Sequence, residues 1–192
     1  EHAIGPRREL GMRTLFNVLG PLTNPALVKR QVLGGYDAGL CEPLAHALKQ
    51  LGSIHALVLH SQDGLDEISI AASTHGFELK AGEIAPITIT PSAFGHRHDS
   101  LEGLQVMTAE ASATLIRGAL GGVDDTASTK ARSIIALNAG AGIYVAGRAD
   151  SLEAGVTCAE QVITSGEAAQ KLEAFVAFTQ ALSASGDGEP AA

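Results

Sequence analysis

The stretch that most restricts the fold is "IHALVLH", residues 54–60, which follows the amphipathic segment "CEPLAHALKQLG" and its closing Gly52. A strand apolar at nearly every position has to be covered on both faces, whereas a half-solvated strand alternates. Upstream, "QVLGGYD" from Gln31 is a second strand candidate. Strand, helix and buried strand in that order point to a parallel βαβ unit, the helix carrying the chain back across the sheet. Further on, "HGFELKAGEIAPITITP" alternates apolar and polar residues around Ala81 and Gly82, which reads as a hairpin or two short strands, and "GHRHDS" reads as a polar loop.

The last third reads as helical, in four segments that begin near "TAEASATLIRG", "TKARSIIALN", "SLEAGVTCAE" and "GEAAQKLEAF". The span from Lys130 to Ala146 is apolar almost all round and carries Ala139, Gly140, Ala141 and Gly142, so a buried central helix approached closely by another backbone is expected. Ser151, with Asp150 and Glu153, marks a helix start, and Gly166 marks a stop. At the other end, "HAIGPRRELG" suggests a short helix from about Pro6 to Leu10. "TLFNVLGPLTNPA" suggests another, broken at Gly20-Pro21 and Asn24-Pro25. The tail "SASGDGEPAA" has too little apolar surface to offset the entropy of ordering it.

At 192 residues and 45% hydrophobic, the chain can build one substantial core, or one core plus a piece of another domain. Cys41 and Cys158 stand far apart in helix-like contexts, as buried thiols of a reducing compartment do, so a soluble cytoplasmic protein is expected. No apolar run approaches the roughly 18 residues of a membrane span, and the first residues lack the pattern of a signal peptide. A net charge of -8 disfavours nucleic-acid binding, which rests on clustered Lys and Arg. Basic residues do gather locally at Arg7, Arg8 and Arg13, then Lys29 and Arg30. The sequence starts at Glu1, without methionine and inside a helical pattern, which suggests a fragment of a longer chain.

Several residue groups could carry chemistry. Asp66 and Glu67, in "GLDEIS", follow the end of the apolar strand, where ligands bind in open parallel sheets. They read either as a solvated turn or as ligands of Mg²⁺, which takes one or two carboxylates and shares its other positions between water and phosphate oxygens. Arg7 and Arg8 in "GPRRELG" could grip a carboxylate or phosphate in a two-bond fork, or could be solvated. "LGPLTNP" is either a rigid pocket wall, a connection between helices, or both. His96 and His98 read as part of a solvated loop rather than a zinc site. "GAGIYVAG" is not a nucleotide fingerprint, since Val145 replaces the last glycine and the segment sits within a helix. No G-x-S-x-G elbow occurs.

In order, "RRELGMRTLFNVLGPLTNPA", "KRQVLGGYD", "GLDEIS", "LNAGAGIYVAG" and "KLEAFVAFTQ" resemble the anthranilate phosphoribosyltransferases of tryptophan biosynthesis, from about His2 to Gln180. The resemblance implies an α/β fold of the nucleoside phosphorylase and phosphoribosyltransferase kind, a mostly parallel sheet flanked by helices beside a small helical domain. On that basis residues 1–27 are the last helices of the small domain, 28–184 most of the α/β domain and 185–192 a disordered tail. It implies that the amine of anthranilate displaces pyrophosphate from phosphoribosyl pyrophosphate. Asp66 and Glu67 would hold Mg²⁺, Arg7 would anchor the anthranilate carboxylate, and Gly20 and Pro21 would line the aromatic end of the channel.

An aromatic amine needs no strong general base, so no catalytic proton-transfer residue is expected in this stretch. The family's glycine-rich phosphate loop, N-x-S-T-like segment and K-H-G-N-type loop have no counterpart in this sequence. The chain by itself is therefore expected to be inactive and to expose apolar surface, and the complete protein to be a homodimer. Two other readings are a nucleic-acid-binding relative, disfavoured by the acidic charge, and a pyrimidine nucleoside phosphorylase, disfavoured by "GPLTNP" and "LDEIS".

Overall fold

A computed structural model of the chain describes residue 20 and residues 22–184. Arg7, Pro21, the helices expected before residue 20 and the tail from residue 185 lie outside the described residues. Strands β1 (Arg30–Gly34), β2 (His55–Ser61), β3 (Thr74–Lys80) and β4 (Glu83–Ile89) form one sheet in the order β1-β2-β3-β4. Five α-helices accompany it among the described residues: α1 (Cys41–Gln50), α2 (Ala109–Leu120), α3 (Thr126–Val145), α4 (Leu152–Thr164) and α5 (Glu167–Ala184).

The apolar strand behaves as its composition demands. Ala56 and Val58 of β2 face α1, where they join Cys41, Leu44, Ala45 and Leu48, the apolar stripe of a helix spaced by three and four residues. Leu57 and Leu59 face the other way, into a core with Ile68, Ile70, Leu137, Ala141 and Val145. Burying each such leucine or valine is worth about 1.5–3 kcal/mol. Burial on both faces is what fixes the three layers. Helix α1 carries Glu42 in its first turn and Lys49 in its last, complementing its dipole, and it ends where Gly52 takes a φ of 82°.

β1 and β2 are parallel, pairing Arg30 with His55 through Gly34 with Leu59. The expected βαβ unit is therefore present. The other two ladders, β2 with β3 and β3 with β4, are antiparallel, so the α/β class holds while the described sheet is mixed and not mostly parallel. The connections decide this. A parallel pair needs a long crossover, which α1 supplies, whereas the two-residue turn Ala81-Gly82 can join only antiparallel strands. Both turn residues have positive φ, 51° and 82°, as the favoured hairpin turn requires.

Helix α3 is the buried centre of the last third, as its composition indicates. It begins at Thr126, four residues before Lys130, because Asp125 caps it: its carboxylate accepts from the Ser128 N–H at 2.8 Å and the Ser128 hydroxyl at 2.7 Å. Its small residues meet α4. A Cβ on Gly140 would lie 2.6 Å from the Val156 backbone, and one on Gly155 would lie 2.3 Å from the Gly140 carbonyl oxygen. Ser151 caps α4 by accepting from the Ala154 N–H, and Gly166 separates α4 from α5 with a φ of 81°.

At the end of the sheet where β2 begins, the buried His55 pairs through Nε2 with Glu78 Oε1 at 2.9 Å, and the Tyr144 hydroxyl donates to the same oxygen at 2.7 Å. Lys80 Nζ donates to that hydroxyl at 3.0 Å. Arg30 Nη1 donates to the Val145 carbonyl at 2.8 Å, a cation at a helix C-terminus. These bonds fasten the end of α3 to the sheet. Both cysteines are free thiols, Cys41 buried and Cys158 half-buried. Burial, with Asp37 nearby, pushes the Cys41 thiol pKa up. No described helix is long and apolar enough to cross a membrane.

Candidate functional site

The parallel strands β1 and β2 end on the same side of the molecule. There the Gly35 N–H donates to the Leu59 carbonyl at 2.8 Å, and His60 Nδ1 lies 2.8 Å from the Gly35 carbonyl oxygen. A carbonyl only accepts, so Nδ1 carries the proton. The chain then turns back over this end in the loop of residues 62–73. The Ser61 N–H donates to the Leu65 carbonyl at 2.9 Å and the Gln62 N–H to the Ser73 carbonyl at 3.0 Å.

Asp66 and Glu67 are exposed in this loop, while the next residues, Ile68, Ser69 and Ile70, are buried. The loop is pinned on both flanks of the pair. On one flank the Ser69 hydroxyl donates to Asp63 Oδ2 and receives the Ala71 N–H at 2.9 Å. Partial burial opposes ionisation of Asp63, yet the bonds from Ser69, Ser61 and the Leu65 N–H hold its carboxyl below the usual carboxylate range. On the other flank Asn138, from α3, binds the backbone of Ile68 through two hydrogen bonds of 2.9 Å.

Asp66 and Glu67 share two hollows. One, of about 320 Å³, is lined by Val32, Gly34, Leu59, Asp66, Glu67 and Asn138, directly over the ends of β1 and β2. The other, of about 440 Å³, is a largely apolar groove whose walls include Leu104, Val106, Leu115, Ile116 and Ile134. No hydrogen bond or ion pair from another described side chain engages either carboxylate. The donor set fits Mg²⁺: two hard, adjacent carboxylates, open toward water and substrate oxygens. No group of three or more His, Cys, Asp and Glu that could form a closed protein cage occurs among the described residues.

Of the other residues singled out in the sequence, Gly20 is exposed and its carbonyl accepts from the Thr23 N–H at 3.2 Å, while Arg7 and Pro21 lie outside the described residues. His96 and His98 differ from expectation. Both are half-buried: His98 Nε2 bonds the Ser133 hydroxyl at 3.0 Å, and His96 Nε2 lies 3.0 Å from Glu160 without hydrogen-bond alignment. The loop they belong to packs on α3 and α4 instead of standing free in water. Asn138 was the residue with a recoverable signal, since it is the lone polar side chain in the run from Ile134 to Ile143. A half-buried amide in such a run needs a partner.

A family model described as "Glycosyl transferase family, a/b domain" matches residues 1–169, and the chain belongs to that family. Within it, the similarity runs to anthranilate phosphoribosyltransferases. The enzyme of that name from Saccharophagus degradans is 54% identical over 179 residues, covering 93% of this chain and 52% of the relative. That from Cellvibrio japonicus is 56% identical over 182 residues, covering 95% and 53%. Among solved structures, anthranilate phosphoribosyltransferase from Thermus thermophilus superposes with a TM-score of 0.81 at 38% identity, covering 93% of this chain and 52% of that one. The Saccharomyces cerevisiae enzyme in complex with PRPP and Mg gives 0.77 at 27% identity, covering 92% and 50%. The chain spans about half the length of the curated relatives it matches.

Proposed function

We propose that this chain is the C-terminal portion of an anthranilate phosphoribosyltransferase, which transfers phosphoribosyl from phosphoribosyl pyrophosphate to the amine of anthranilate in tryptophan biosynthesis. The observation that carries the reading is the exposed Asp66-Glu67 pair over the C-terminal ends of parallel strands, in a chain 54% identical to enzymes of that name. Asp66 and Glu67 would hold Mg²⁺, which would supply positive charge to offset that of the departing pyrophosphate. Neither carboxylate is spent on a described protein partner, so both lone-pair sets remain for this purpose.

The organic substrate is a carboxylate on an aromatic ring. Arg7 matches it with a planar, two-bond fork that aims the amine, and Gly20 with Pro21 walls the aromatic end. No residue of the chain is assigned a proton-transfer role, because the aromatic amine attacks without prior deprotonation. Residues 28–184 belong to the α/β domain. Phosphate cradling falls to the half of the family's length that this chain does not span, so the chain alone turns over no anthranilate. The complete protein works as a cytoplasmic homodimer without nucleic acid.

The test is the Asp66→Asn, Glu67→Gln double variant in the full-length enzyme. Mg²⁺-dependent turnover is expected to fall by about 100-fold or more, with the melting temperature little changed. Unchanged turnover across a magnesium titration refutes the assignment.

A further inference from the structure

One side chain that lines the hollow shared by Asp66 and Glu67 comes from a distant helix. Asn138 lies on α3, seventy residues beyond Ile68 in sequence, yet it grips the backbone of Ile68 from both sides of the residue. The Ile68 N–H donates to its Oδ1 at 2.9 Å, and its Nδ2 donates to the Ile68 carbonyl at 2.9 Å. The second Nδ2 bond, 2.9 Å to the Ile134 carbonyl, is made within its own helix. The pairing also fixes the amide's orientation, since a flip would set Nδ2 against the Ile68 N–H. In effect the amide imitates a neighbouring strand for one residue, and that residue is the one following Glu67.

The opposite side of the loop is equally constrained. A Cβ on Gly34, the last residue of β1, would fall 1.6 Å from the Asp66 carbonyl oxygen and 2.6 Å from its carbon. The backbone of Asp66 therefore rests directly on the end of β1, where only glycine leaves room. Gly34, Asp66, Glu67 and Asn138 line the same hollow. The backbone of the pair is thus set between a floor on β1 and a clamp on α3, with the side chains of Asp66 and Glu67 exposed.

We propose that Asn138 is a positioning residue for the metal-holding carboxylates: by clamping Ile68 against the Gly34 floor, it fixes the spacing and direction in which Asp66 and Glu67 present their oxygens. The inference rests on the magnesium reading above. Partners that orient metal-ligating groups commonly change metal affinity by 10–100-fold when removed, although they touch no metal. Helix α3 is a suitable anchor, because it carries buried residues from Ser128 to Val145 and is tied to the sheet at Tyr144 and Val145.

The experiment uses the full-length enzyme and Mn²⁺ as a spectroscopic probe for Mg²⁺, titrated by electron paramagnetic resonance in the presence of inorganic pyrophosphate. Hydrogen exchange at the Ile68 amide is followed in parallel. Asn138→Leu, similar in volume but unable to form either bond, is expected to accelerate Ile68 exchange and to weaken Mn²⁺ binding by about tenfold or more. KM for anthranilate stays unchanged. Gly34→Ala, which lifts the loop from the other side, is expected to weaken Mn²⁺ binding in the same way. Asn138→Ser, too short to reach both backbone groups, decides the matter by the same readings if the leucine variant does not fold.

Faster Ile68 exchange with Mn²⁺ affinity held within about twofold overturns the positioning role. The Asp66→Asn, Glu67→Gln variant separates the two levels. If it loses Mn²⁺ while the Asn138 variants keep it, the inference fails and the metal reading stands. If it binds Mn²⁺ as the parent does, both fail together.

Discussion

Asp63 shows how a single carboxylate can hold a loop and set its acid sensitivity. Its carboxyl titrates below the ordinary range despite partial burial, because Ser69, Ser61 and the Leu65 N–H bond its charged form. The unfolded chain therefore binds this proton more readily than the native one. The stabilisation is fully present above the ordinary carboxylate pKa of about 4 and is lost as pH falls through the lower native value. Asp63→Asn is expected to cost about 1 kcal/mol at neutral pH. It should also flatten the acid limb, which urea unfolding measured as a function of pH will show. A second residue carries strain of the opposite kind. Ala81 sits at a φ of 51°, where a Cβ is disfavoured. Ala81→Asn is expected to raise stability by about 0.5–1 kcal/mol, read from thermal melts, because asparagine before glycine suits this turn.

Among the elements, the contact between α3 and α4 tolerates little change. Gly140 and Gly155 bring the two helix backbones together so closely that neither position has room for a methyl group. Gly140→Ala gains helix propensity but must push Val156 away, and overpacking of this kind costs about 1–3 kcal/mol. The variant is expected to melt at lower temperature by calorimetry, whereas Gly142→Ala, at an open position of the same helix, is not. The sequence announced this contact through the run Ala139 to Gly142, though not its partner. The hairpin was likewise legible, from the alternation around Ala81 and Gly82. The loop that presents Asp66 and Glu67 was not. Its backbone bonds run to Asn138 on α3, and no local pattern near residue 66 refers to a helix seventy positions away.

At the scale of the molecule, the sheet edge and its surroundings define how the chain behaves alone. β1 is an edge strand among the described residues, with Val32 37% exposed, and Leu27, Val28 and Met107 are exposed as well. A parallel edge strand with apolar side chains offers unpaired backbone groups to any other strand. The isolated chain is expected to self-associate in light scattering as its concentration rises; a monodisperse monomer would contradict this. The sequence by itself determined that β2 is covered on both faces, that a helix joins two parallel strands, and that two carboxylates follow a strand end. Composition and period are local properties, and they suffice for such statements. Only the tertiary structure decided that β3 pairs antiparallel with β2, that His96 and His98 pack on helices, and that Gly34 and Asn138 enclose the Asp66-Glu67 loop. Those outcomes depend on which distant groups meet when the layers close, and a buried polar group accepts whichever partner the packing brings within hydrogen-bond reach.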